Sequence, residues 1–178
     1  MKTALRPALV TAICLLTHSL PATIMVPLTV EDLSQRAELV LHGTVRGKHC
    51  LTDAEGRIYT KIELLVSEVW KGRLATNYFV LVHGGGTVGN LTTVVGGQAA
   101  YEVGEEIVAY LQLNQRGEGV SIGLAQGKFH VWQDAATGEK FAHNLFHGQP
   151  KAAEGQPAGK PARLSLGELK RHALGGKQ

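Results

Sequence analysis

Between residues 37 and 145 apolar and polar residues alternate in short runs, the period of strands with one buried face. The clearest run spans 58–70, where Ile58, Thr60, Ile62, Leu64 and Val66 fall on one face. Before it, Leu39-Val40-Leu41-His42-Gly43-Thr44-Val45 predicts a first strand, with Gly43 marking a bulge or bend. After it come strand patterns at 78–83, 107–113, 120–124, 128–133 and 140–144. Residues 84–97 are glycine-rich and read as a long loop containing a short strand at 91–95. Turns are expected at 52–56 and at Lys71-Gly72.

Helical grammar occurs only at the two ends. Leu28-Thr29-Val30-Glu31-Asp32-Leu33 places a capping threonine three residues before an acid, with Leu28 able to staple to Leu33. Leu164-Ser165-Leu166-Gly167-Glu168-Leu169 repeats it, with Ser165 and Glu168 as the capping box. Some seven short strands between two short helices predict an all-β, mainly antiparallel fold. The architecture is an OB-like closed barrel or a small sandwich; periodicity carries no strand order, so both stay open.

Composition agrees with one such domain. The chain has 178 residues, of which 44% are hydrophobic and 19% charged, excluding a disordered tail and a coiled coil. Its 22 glycines favour tight turns over long helices. At the start, Lys2 and Arg6 precede an apolar run at 8–16 and then Leu20-Pro21-Ala22, the order of a secretory signal with cleavage expected after Ala22. The run is too short to span a bilayer, and Ile13 before Cys14 argues against a lipid anchor. The expected organisation is a signal over 1–22, the β domain with its N-terminal helix over 23–147, a flexible Gly/Pro/Ala/Lys linker over 148–162, and a helix over 163–178. The expected location is periplasmic or extracellular, with no stable membrane anchor after cleavage.

Export changes two counts. Cys50 becomes the only cysteine, which leaves no intramolecular disulfide. Residues 23–147 carry 10 basic and 13 acidic side chains, while 148–178 carry 6 and 2, so the basic character sits in the signal and the tail. No basic stripe crosses the main body, and nucleic acid is not an expected partner.

Three segments carry a resemblance: residues 37–45, Val69-Trp70-Lys71-Gly72, and 103–111, beginning Val103-Gly104-Glu105-Glu106. In this order they resemble netrin-like domains, the OB-type barrels of tissue inhibitors of metalloproteinases. With Gly123-Leu124-Ala125-Gln126-Gly127-Lys128-Phe129 the chain is also similar to an uncharacterised family of secreted bacterial proteins. The resemblance implies a barrel. It does not imply protease inhibition, because those inhibitors use a free N-terminal cysteine, whereas the expected start here is Thr23.

Two constellations suggest chemistry. His83-Gly84-Gly85-Gly86 matches an esterase oxyanion loop, and Gly119-Val120-Ser121-Ile122-Gly123 matches G-x-S-x-G, with Asp134 and His143 following in hydrolase order. An elbow needs a helix after the serine, and the residues after Ser121 read as strand and turn. The second constellation is a hairpin around residues 135–138: if Asp134 faces Glu139, His130 faces His143, close enough for two imidazoles to share zinc or copper. Polar faces of an edge hairpin explain the same residues without a metal. Cys50 is either a reactive or an inert thiol, and Asn90-Leu91-Thr92 is a glycosylation sequon. Trp70, Phe129 and Trp132 read as packing residues or a ligand platform.

The reading that follows is a non-enzymatic exported binding module without a cofactor. Its partner is another exported protein or an envelope component. Its contact surface is the 84–97 loop, with Gly84, Gly85, Gly86 and Asn90, together with the 129–143 hairpin that carries Trp132.

Overall fold

The computed structural model describes residues 25–148 and 163–175; the expected signal segment and all but the first residue of the expected linker lie outside the described residues. In chain order the elements are α1 (Val30–Arg36), β1 (Leu39–Thr52), β2 (Ile58–Lys71), β3 (Tyr78–Gly84), β4 (Gly86–Val88), β5 (Leu91–Thr93), β6 (Glu106–Leu113), β7 (Gly119–Ser121), a 3-10 turn (Leu124–Gly127), β8 (Lys128–Gln133), β9 (Lys140–His143), β10 (Leu164–Ser165) and α2 (Leu166–Ala173).

Five of these strands close a mixed barrel in the order β1-β2-β3-β7-β6, with β6 returning to β1. Only the β3–β7 contact, Leu81 opposite Gly119, is parallel. The fold is an all-β, OB-like barrel and not a sandwich. Strands β8, β9 and β10 extend the sheet beyond the barrel from β6, while β4 and β5 form a separate hairpin.

The first strand is twice the expected length, because bulges at His42/Gly43 and Val45/Gly47 bend it without ending it. Glycine is required at the bend: a Cβ on Gly43 would lie 2.3 Å from the Leu65 carbonyl oxygen. Alternation then divides β1 and β6 between two cores. Leu39, Leu41, Ile107 and Leu111 point into the barrel with Ile62 and Leu81. Val40, Val108 and Tyr110 point outward and pack with Phe129 beneath the two helices, which contribute Leu33 and Leu169.

Both helices begin as their sequences require. In each, the capping hydroxyl of Thr29 or Ser165 accepts the amide of the acid three residues on, and that carboxylate accepts the cap's own amide. The second helix is shorter than expected at its start. Leu164 and Ser165 instead pair with Ala142 and Phe141 and extend the sheet. Lys170 and His172 then fasten α2 at its rim, to Glu68 and to Glu31.

The strand expected at 120–124 ends at Ser121. Gly123 and Leu124 both take left-handed backbone (φ 60 and 62), which turns the chain into the 3-10 segment and steps it along β6. As a result β7 and β8 lie end to end on one edge of β6, β7 at residues 111–113 and β8 at 107–109.

Gly43→Ala is expected to lower unfolding stability by about 3 kcal/mol, since backbone lies where the methyl must go. Leu169→Ala is expected to cost a similar ~3 kcal/mol by opening a cavity under α2. Gly96→Ala, where a Cβ meets nothing within 4 Å, is the neutral control. Urea unfolding of the three variants checks these values.

Candidate functional site

The glycine triplet marks where the chain leaves the barrel. Gly85 and Gly86 take positive φ (87 and 139), and Cβ atoms there would lie 2.7 Å from the Thr93 carbonyl oxygen and from Cys50 Sγ. The Thr60 hydroxyl donates to the Gly85 carbonyl at 2.7 Å, and the Gly85 amide donates to the Ile58 carbonyl at 2.9 Å. These glycines therefore serve a tight crossing over β2. The half-buried thiol of Cys50 sits in this crossing, 3.5 Å from Thr60 Oγ1.

Beyond the crossing the short strand expected at 91–95 forms as β5, and it pairs with β4 in a hairpin where a loop was expected. Gly89 supplies the positive φ of its turn and Asn90 follows at the tip. The Thr87 and Thr92 hydroxyls bridge the two strands at 3.0 Å. Every residue of β5 is exposed, and Leu91 and Val94 are 65% and 86% exposed. No charged residue occurs from 84 to 100.

The second region forms with the register expected from sequence: His130 lies directly opposite His143, their ring centroids 5.2 Å apart. Glu105 lies alongside, its Oε1 2.9 Å from His130 Nδ1 and within 2.5 Å of the Lys128 ammonium. The carboxylate that would complete a metal site is thus held by a lysine. Among the described residues no group of three or more His, Cys, Asp or Glu side chains is placed to hold a metal ion. Trp132 is half-buried and stacks on Phe141 at 5.0 Å, with the Arg163 guanidinium over both rings.

The Ser121, Asp134 and His143 side chains are occupied separately. The Ser121 hydroxyl donates to the Leu124 carbonyl at 2.7 Å, and a 3-10 turn follows it where an elbow has a helix. The Asp134 carboxylate accepts the Ala136 amide and pairs with Arg163. His143 packs against His130. The β4–β5 hairpin packs on β1 and β2, and β8 and β9 pack on β6 and on each other. Tyr101 is stacked on His83 and lies beneath Lys128.

The structure also holds a groove with no motif in the sequence. It is a cavity of about 240 Å³ on the outer face of β2 and β3. Tyr59, Val82 and Val120 line it together with Arg57, Arg116, His83 and Gln98. The β1–β2 turn, the β6–β7 turn and the segment after β5 bring these residues together. No protein-family model matches this sequence, and no curated protein resembles it closely enough to count as a relative.

Acid is expected to weaken the β8–β9 region in two stages. Burial, then the nearby His130 and Lys128, hold His143 below the ordinary histidine value of 6.5. Burial raises Glu105, but Lys128, the Glu102 amide and His130 outweigh it and hold the carboxyl below 4.5. Both groups bind fewer protons folded than unfolded, so each stabilises fully above its unfolded value and loses that contribution as pH falls through its folded value. The urea midpoint should fall from pH 6.5 toward the carboxylate range and then further. In His143→Asn the first part of the slope should flatten; an unchanged slope would remove His143 as its source.

Proposed function

We propose that this chain is an exported, non-enzymatic binding module that docks another exported protein through the β4–β5 hairpin. An envelope component is the alternative partner. The observation that carries this reading is the hairpin itself: two short strands outside the barrel sheet, with Leu91, Val94 and Val95 exposed and no charge over seventeen residues. Exposed strand edges in monomeric proteins are ordinarily blunted by lysine or proline, and a two-stranded hairpin is marginal by itself. An uncharged one with apolar side chains suits pairing with a partner's strand or apolar surface. The glycine crossing, with its hydrogen bonds to β2, presents it in a fixed orientation.

Export is supported by the charged, apolar, small-residue order of residues 1–22, with the chain then acting in the periplasm or outside the cell. Among the described residues no helix is long and apolar enough to cross a membrane. The kinship with netrin-like domains belongs to the same proposal, and the barrel is the part of it that supports this reading.

The test is affinity capture with the full chain as bait against the source organism's exported proteins and envelope fraction, competed by untagged chain. One dominant partner is expected. Leu91→Asp/Val94→Asp should reduce its capture about tenfold while leaving the urea midpoint in place, because both side chains are exposed. Equal capture by the double variant would take the hairpin out of the interface.

A further inference from the structure

We infer that the groove over β2 and β3 is a second binding site, and that it takes one ring of a neutral, hydroxyl-rich saccharide. The inference is independent of the hairpin's partner, because it rests on different side chains.

Its size limits the occupant. About 240 Å³ is below the range of sites that enclose a whole drug-sized molecule, so the groove fits one compact ring, free or part of a longer chain lying across the surface. Its floor is apolar and aromatic: Tyr59 on β2, Val82 on β3 and Val120 on β7. Gly84 stands directly opposite Tyr59 in the ladder, and the Val95 side chain comes within 3.2 Å of where a Gly84 Cβ would lie.

Charge decides among small ligands. Each cation at the rim already has its carboxylate. Arg57 donates to Asp53 at 2.7 Å and to Glu55 at 2.9 Å. Arg116 donates to Glu118 at 2.8 Å, and Lys61 meets the other oxygen of Glu118 at 3.3 Å. Arg57, Arg116 and Lys61 balance Asp53, Glu55 and Glu118, leaving no net charge. A phosphate or uronate arriving there finds both lining guanidiniums already paired with carboxylates, and a cationic ligand meets the same two guanidiniums. A hydroxyl, which donates and accepts at once, finds a donor beside an acceptor at each pair.

Two side chains of the wall make ring contacts of their own. His83 Nδ1 donates to the Gly84 carbonyl at 2.8 Å and its ring stacks on Tyr101. The Arg116 guanidinium lies against the Tyr59 ring, 5.8 Å from its centre. Apolar C–H faces on Tyr59, Val82 and Val120, with hydroxyls toward Asp53, Arg57, Arg116 and Gln98, are what a pyranose supplies.

The experiment titrates the full chain, labelled for NMR, with cellotetraose, maltotetraose and the N-acetylglucosamine tetramer as neutral probes. Tetragalacturonate and inorganic phosphate are the anionic ones. At millimolar concentration at least one neutral probe is expected to shift the Tyr59 ring, the Gln98 side-chain amide and Arg116 Nε together. Tyr59→Ala should weaken that binding about tenfold. Val120→Trp, which fills the groove from an exposed position, should abolish it, and this variant serves if Tyr59→Ala does not fold. Leu91→Asp/Val94→Asp should leave it unchanged. The proposal is overturned if no neutral probe shifts these three signals, if only the anions do, or if the shifts survive Val120→Trp.

Discussion

One strand, β1, forms hydrogen bonds on both edges, to β2 along most of its length and to β6 along its first half. Everything else in the fold depends on that. Without the second edge the sheet stays open, β3 and β7 have no reason to meet in parallel, and the outer faces of β1 and β6 have no shared curvature for the helices to cover. Gly43 makes this possible, because any larger residue there would push β1 off the Leu65 carbonyl. The rest of the chain fills the two sides of this wall.

Much of the architecture was legible from local rules. Alternation in β2 runs from Ile58 to Val66, because one face lines the barrel and the other faces outward; Ser67, Glu68 and Val69 are then all exposed. The two capping boxes formed because a hydroxyl and an acid three residues apart satisfy exposed amides with no help from distant parts of the chain. The His130/His143 register followed from a four-residue turn held by Asp134. What local rules missed was set by distant pairing. Leu164 and Ser165 carry a helix-start pattern yet pair with β9, because an open sheet edge lies beside them. β7 stops early because its neighbour β6 must also accept β8, and two left-handed residues make the step.

The site was less legible, for reasons that particular residues show. Gly84, Gly85 and Gly86 resemble an oxyanion loop because both need glycine, but here the need is steric room, beside Thr93 at Gly85 and beside Cys50 and Thr60 at Gly86. The groove left no trace at all: Arg57, Gln98 and Arg116 each look like ordinary polar residues of turns and loops until the barrel closes. The segments that carry the netrin-like resemblance lie in β1, at the end of β2 and in or just before β6, the three strands that meet at the closure.

Two apolar cores on opposite sides of one wall also give the molecule a hierarchy of opening. The helical layer is joined to the barrel through Val40, Val108 and Tyr110, while the barrel interior relies on a different set of side chains from the same strands. Lifting α2 therefore uncovers one side of the wall and leaves the other packed. Amide hydrogens of α2 and β10 would exchange with solvent through a local excursion, and those at the β1–β6 junction only when both cores give way. The slowest-exchanging amides should trace the line where the barrel closes.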